Sequence, residues 1–372
     1  MTRQELVDRY FLARILWWRN DIETLDAATV AQIRTILESV KREILATFDA
    51  QAQALTSVTE WREDRLRQVD AWIDELLSPV NAGMTATIST AAVAATTASI
   101  ATYNATLAFD GKALAVKTVG LTAEQLEAFF VNDPLSNRVL GEWVSQSFDD
   151  GVKASIRSAL QSSVVMGEGS EKAMRRLLQQ AILDGFALTE RQADTLARTY
   201  IQSGDAAAQE AVYKNNAHIV KGVVWSTAHD NHVCPLCAPL DGMRWKNGEE
   251  HPPFKRHPNC RCTLLPIVYA KDLDIAPDAL RDVATPWVLR DPGTLGKRNA
   301  AKIYDAGTTR ENFPGWWATL PYKEQTKSIG AIRTRLIRAG DLRWSDLVNK
   351  RTGAYRTLHE LGYTLRGQRV EQ

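Results

Sequence analysis

All four cysteines of this chain lie between Cys234 and Cys262, and five of its six histidines lie between His218 and His257. Residues used only for packing would not crowd in this way, so one short segment converges on a shared centre. Cys234-Pro235-Leu236-Cys237 leaves two residues between its sulfurs, the spacing at which a tight turn brings both thiols to one point. After nineteen further residues, His257-Pro258-Asn259-Cys260 repeats the gap, followed by Arg261 and Cys262. Together the halves supply a tetrahedral Zn2+ site, with Cys234, Cys237, His257 and Cys260 as the preferred ligands. Cys262 competes with His257 for the fourth place, because alternate residues of an extended chain point to the same side. A segment this short buries little apolar surface, and a bound metal supplies the missing stability. Two disulfides, or four simply buried thiols, are the competing readings. Nothing marks secretion, and thiols made in the cytoplasm stay reduced. A four-ligand site is closed, so the zinc is read as structural rather than catalytic.

Composition sets the wider limits. With 45% hydrophobic and 24% charged residues, the 372-residue chain is an ordinary folded protein with room for two or three domains. A formal net charge of +1 excludes a chain drawn as a whole to nucleic acid or to a membrane surface. The balance is uneven, however: residues 290–372 carry 16 Lys/Arg against 8 Asp/Glu. A face drawn from that segment could meet phosphate or an acidic partner; a solvated helical surface is the plainer alternative. The start, Met1-Thr2-Arg3-Gln4-Glu5, shows no apolar core followed by a cleavage site, so no signal peptide is expected. Between Glu75 and Asp110 no residue is charged. That stretch is long enough to span a bilayer, but it consists mainly of Ala, Thr, Ser and Asn, which favours a helix packed closely against protein.

Apolar residues at Val30, Ile33, Leu37, Val40, Ile44 and Phe48, then at Leu66, Val69, Ile73 and Leu76, step by threes and fours and predict long helices. Core packing is the default meaning of such a stripe, and self-association through a coiled coil is the alternative. Asp26 is expected as an N-cap, Ser57-Val58-Thr59-Glu60 as a capping box, and Pro79 to Gly83 as an interruption. A helix opens at Thr122-Ala123-Glu124-Gln125, and helical periods continue from Asn137 to Asn216, broken at Gly167-Glu168-Gly169. Strands are predicted at 223–227 and 263–268 with loop between them. Short helices follow at 299–304, 322–339 and 344–349. The fold class is thus mainly α: long N-terminal helices, a helical middle, a small α+β zinc-binding module and a short helical tail. The corresponding regions are 1–110, 111–217, 218–270 and 271–372.

His229-Asp230-Asn231-His232 offers the polar groups of a metal-dependent nuclease, but no second half with a third ligand follows it. His251 sits in a Pro-rich loop and is a poor substitute. There is also no Gly-rich phosphate loop and no nucleophile elbow, so no enzyme is expected, with nuclease action through His229, Asp230 and His232 as the alternative.

The order and spacing of Trp225-Ser226-Thr227-Ala228-His229-Asp230, Cys234-Pro235-Leu236-Cys237, Leu240-Asp241-Gly242 and His257-Pro258-Asn259-Cys260-Arg261-Cys262-Thr263-Leu264 resemble the phage Mu F-like head-morphogenesis family. Upstream, Ala193 to Thr199 is similar to the family's preceding helix, although Tyr200 stands where an acid commonly follows. Downstream, Trp316-Trp317, Gln325, Ile329-Gly330, Arg333, Leu336 and Gly340 resemble a tail of phage head proteins. The resemblance implies a minor head protein made in the host cytoplasm and kept in the virion, inside the head near the portal vertex. Its implied partners are the portal protein, other head proteins and packaged double-stranded DNA, with which some such proteins are ejected. Within the motif, Asp241-Gly242 reads as a turn, Trp225 as a packing surface, and Arg261 as a donor to loop carbonyls or to Asp230.

Overall fold

The stripe from Val30 to Ile44 lies on a helix far longer than the pattern itself: α1 runs Arg3–Thr56. The computed structural model describes residues 1–372 apart from 57–62, 114–115, 121, 123–124, 126–137, 160–170, 228–232, 255–256, 289–312 and 371–372. It gives the helical path alone at 48–56, 63–70, 171–175, 286–288 and 316. Val30, Ile33, Leu37, Val40 and Ile44 are all buried, as the spacing predicts. Asp26 does not cap a helix. It lies in the interior of α1, buried, and accepts a hydrogen bond from Gln202 Nε2 (2.7 Å). A polar residue that reads as a cap in sequence is here a buried acceptor.

Nor does Pro79 end a helix, since α2 runs Glu63–Leu107 straight through it. Pro79 and Glu75, whose carbonyl loses its helical donor, are both exposed, so water can replace the missing bond. Beyond the proline the inward face continues through Val80, Met84, Ile88, Ala92 and Ala95. Over Ala71–Leu107 this helix is long and apolar enough to cross a membrane, yet its larger apolar side chains are spent on the protein interior. Helix α3 (Leu140–Phe148) passes into a π turn at Asp149–Lys153, and α4 runs Glu171–Asn215, ending where Asn215-Asn216 predicts. The reciprocal bonds of a capping box join Thr122 and Gln125 (2.9 and 3.2 Å). The second expected box, at 57–60, and the break at 167–169 lie outside the described residues.

The chain divides into two units. One comprises Thr24–Thr96 and Leu121–Gly204. In it Arg34 of α1 pairs with Glu190 (2.8 Å) and Asp194 (2.5 Å) of α4, and Lys153 pairs with Asp74 and Asp149. The π turn meets α4 glycine to glycine. A Cβ at Gly151 would lie 2.1 Å from Thr189 Oγ1, and one at Gly185 would lie 2.7 Å from the Val152 Cα. Only two hydrogens allow the backbones so close.

The other unit comprises Met1–Glu23, Thr97–Gly120 and Asp205–Gln372. Here Tyr10 stacks on Phe109 (4.5 Å between ring centres) and donates to the Thr106 carbonyl. Trp18 Nε1, Ser99 Oγ and Tyr103 OH all donate to one oxygen of buried Asp205, at 3.0, 2.7 and 3.0 Å. Three neutral donors on a single carboxylate oxygen replace its hydration and join α1, α2 and α4. Beside them stands an antiparallel sheet, β1 (Val220–Ser226), β2 (Arg244–Lys246) and β3 (Thr263–Val268), in the order β2-β1-β3. Strand β2 was not foreseen; it pairs Trp245 with Val223. The first turn of α1 is tied to the far end of β3: Gln4 Nε2 donates to the Val268 carbonyl (2.9 Å), and Arg3 donates to the Ile275 carbonyl (2.6 Å).

After α5 (Pro277–Val288), the tail resumes with α6 (Phe313–Ala318), α7 (Tyr322–Ile329), α8 (Ala331–Ala339) and a 3-10 turn at Trp344–Leu347. The helix expected across 322–339 is two helices, because Gly330 adopts φ +81° between them. The short helix expected at 299–304 lies outside the described residues. Trp344 packs edge-on against Phe313 and Trp317 (5.4 and 5.1 Å), within a core that includes Ile329, Leu336 and Leu347. Of the tail residues singled out in the sequence, Trp317, Ile329 and Leu336 belong to this core. Gln325 is buried and donates to the Trp317 carbonyl, Trp317 Nε1 donates to Ser328, and Gly340 is the left-handed helix end.

Candidate metal centre

Two turns, one from each half of the motif, face each other. In the first, the amides of Cys237 and Ala238 both donate to the Cys234 carbonyl (3.1 and 3.0 Å), which folds the chain back and aligns the sulfurs. In the second, the Cys260 amide donates to the His257 carbonyl (3.2 Å). Pro258 presets the first corner of this turn, and Asn259 takes φ +58°, a left-handed conformation that asparagine tolerates better than most residues. Strand β3 begins directly afterwards at Thr263, which fixes Cys262 at its root.

The turns bring five candidate ligands together. His257 Nε2 lies 3.0 Å from Cys234 Sγ and 3.2 Å from Cys237 Sγ, while Cys237 Sγ lies 4.0 Å from Cys260 Sγ. Ligands at a zinc–sulfur distance of ~2.3 Å in a tetrahedron are separated by roughly 3.7 Å. Cys234, Cys237 and His257 form one group able to hold a metal, and Cys237, Cys260 and Cys262 form another, with Cys237 common to both. None of the four cysteines forms a disulfide, and 4.0 Å is about twice a disulfide bond length. A cavity of about 20 Å³ lies among Cys234, Cys237, His257 and Cys262, which is room for an ion rather than a substrate.

The electrostatics suit a cation. Hydrogen bonding from Cys237, together with His257, brings the Cys234 thiol down to about 4. His257 is pushed up to about 10, first by the Cys234 sulfur and then by Cys260. Cys237 is raised, because Cys234, Cys260 and Cys262 crowd it with negative sulfur. At Cys262 the bond from Cys237 favours the thiolate, but Cys260 and complete burial outweigh it and raise the thiol. The arrangement thus favours a thiolate at Cys234 beside a protonated His257 and opposes ionising all the sulfurs together; a divalent cation would remove that conflict. His257 Nδ1 bonds the Pro258 carbonyl (2.8 Å), which leaves Nε2 directed at the sulfurs. Trp225 Nε1 is buried facing the Cys262 sulfur, where its N–H favours negative charge. The four sulfurs and the imidazole are a donor set that fits a bound metal.

The remaining motif residues build the frame. Trp225 is fully buried and packs edge-on against Trp245 and Phe254 (6.1 and 5.6 Å). Gly242 takes φ +77°, and its amide donates to the Trp225 carbonyl (2.8 Å), closing the Leu240-Asp241-Gly242 turn onto β1. Asp241 is buried: Oδ1 accepts from the Thr227 amide and hydroxyl (2.7 and 3.0 Å), and Oδ2 accepts from the Phe313 amide (2.5 Å). The carbonyl of Arg261 accepts from Arg19 of α1, as does that of Thr227, each at 3.4 Å. Sequence reasoning missed Arg19 and Gln209. The latter caps β3 by accepting from the Leu264 amide (3.0 Å) and donating to Thr263 Oγ1 (3.2 Å). Both lie on helices distant in sequence, and no local signal marks them. His251 packs its ring on Trp245 (6.1 Å) and belongs to neither ligand group. His229, Asp230 and His232 lie outside the described residues.

No curated protein and no solved structure matches the chain. A family model described as phage Mu protein F like protein matches residues 154–265, which take in all of α4, the sheet down to Leu265 and every cysteine. Over that region the chain is similar to the phage Mu protein F-like family.

Proposed function

We propose that this chain is a minor head protein of a tailed bacteriophage, a structural component of head morphogenesis that performs no turnover. The observation that carries the reading is the Mu F-like match across the two-turn cysteine and histidine cluster. In this reading the cluster holds one structural Zn2+ through Cys234, Cys237, Cys260 and His257, with Cys262 as the alternative to His257. The ion would supply charge neutralisation and rigidity where the two turns meet. The protein sits in the head interior near the portal vertex, and α1 and α2 provide the larger docking surface for the portal protein or for further copies of the chain. Head proteins and the packaged genome are its other neighbours.

Metal analysis of protein purified without chelator tests the centre. One zinc per chain supports it, and a metal content near zero overturns it. Nicking of plasmid DNA with added Mg2+ or Mn2+, lost on replacing both His229 and His232 by Ala, would favour the nuclease instead. Co-purification with portal protein from infected cells tests the location.

A further inference from the structure

We propose that the outward face of α8 and the loop beside it form a docking surface for the phosphate backbone of duplex nucleic acid. The module from Phe313 to Val370 carries 11 Lys/Arg against 4 Asp/Glu and lies wholly beyond the Mu F-like region. Among its described residues the ion pairs are Lys327–Glu324 (2.7 Å) and Arg351–Glu250 (3.3 Å). The arginines at its centre are held by neutral acceptors instead. Arg335 Nη2 donates to the Arg366 carbonyl (2.7 Å), and Arg338 Nη1 donates to Gln325 Oε1 (3.3 Å) while lying over the Tyr322 ring (5.6 Å). Neutral acceptors fix a guanidinium in place without cancelling its charge.

Arg335 and Arg338, three residues apart, project from the same side of α8, and both are exposed, as is Arg366. The loop is shaped to receive Arg335. Gly367 takes φ +75°, and a Cβ there would lie 2.2 Å from Arg335 Nη2. The bond from Arg335 to the Arg366 carbonyl joins the helix to a loop residue that is itself an exposed arginine. Like charges gathered on fixed supports, with few carboxylates near, present a field that a polyanion satisfies. Tyr322 is half-exposed, but Arg338 covers it, so the face offers forked cations rather than a ring for stacking unpaired bases. That favours a duplex backbone over a single strand, and sequence-independent contact over base reading.

The surface goes beyond the metal-centre reading and rests on it only for the identity of the duplex as packaged DNA. Binding of full-length protein to a ~30-bp duplex of arbitrary sequence, measured by fluorescence anisotropy across a salt series, tests it. R335A/R338A/R366A should lower the salt dependence by about 3 in log–log slope, close to one for each cation removed. Arg366 holds Arg335 through its carbonyl, which any residue supplies, so R366E keeps that bond and should alone weaken binding about tenfold at low salt. Either variant folded and binding as wild type does overturns the proposal. So does a wild-type protein that binds polyglutamate but not the duplex. Zinc content is measured on the same samples: metal retained with no duplex binding sinks this inference alone, whereas metal absent with binding intact sinks only the metal centre.

Discussion

The metal centre and the C-terminal module are both small, both irregular, and joined to one another, yet they are held together by opposite means. Around the centre, residues 233–262 form turns with little regular structure, and what meets in the middle is four sulfurs and an imidazole. In the C-terminal module the middle is filled by Phe313, Trp317, Trp344, Ile329 and Leu336, with Gln325 satisfying the carbonyls of the chain around it. One region concentrates ligands and the other buries aromatic surface. A region of the first kind, holding the zinc proposed for it, would be as stable as that ion, whereas a region of the second kind is indifferent to metal.

The largest effect should come from removing the ion. Cys237 belongs to both ligand groups, so Cys237→Ser should take bound zinc from about one per chain to near zero. Amide exchange protection across 233–262 should go with it, while protection in 322–347 stays. Simultaneous loss in both regions would break the distinction drawn here. Next, Trp317→Ala should destabilise the C-terminal module by about 3–5 kcal/mol with zinc content unchanged, read by denaturant unfolding alongside metal analysis. A variant that also lost its metal would show the two regions to be one cooperative body. Asp241 touches both, since its two oxygens serve Thr227 and Phe313. Asp241→Asn turns one of those oxygens into a donor facing a donor, and should cost about 1–3 kcal/mol, weakening protection on both sides of the joint. Smallest of all, Trp225→Phe keeps most of the packing and deletes the buried indole N–H that faces Cys262. Stability should change by about 1 kcal/mol or less. In the cobalt-substituted protein, an altered sulfur-to-metal absorption band would place Cys262 in the ligand shell, and an unaltered band would leave the fourth position to His257.

Periodicity made much of this architecture legible. The Val30–Ile44 stripe, the end of α4 at Asn215 and strand β3 were readable because each depends on a pattern or terminator within a few residues. The cluster was legible for the same reason, as both halves carry their own turn chemistry. The errors share a physical cause. Asp26 and Pro79 have strong local meanings, as cap and breaker, that tertiary context overrides: a glutamine from another helix satisfies the first, and solvent exposure at Glu75 relieves the second. Arg19, Gln209 and the donors to Asp205 were invisible because their partners are supplied by distant segments. Strand β2 is three residues long, too short for any alternation to register.

The bonds from Arg3 and Gln4 to the end of β3 also govern how the chain can mature. Their acceptors stand at Val268 and Ile275, so the first turn of the protein cannot reach its final place until about three-quarters of the chain has left the ribosome. At elongation of roughly 5–20 residues per second that is on the order of 15–50 s, during which Tyr10 and Phe11 can already meet Phe109 but Arg3 and Gln4 wait for their acceptors. Shortening the chain at the carboxyl side before residue 268 should therefore fray the first turn of α1 while leaving Tyr10 and Phe11 packed on Phe109.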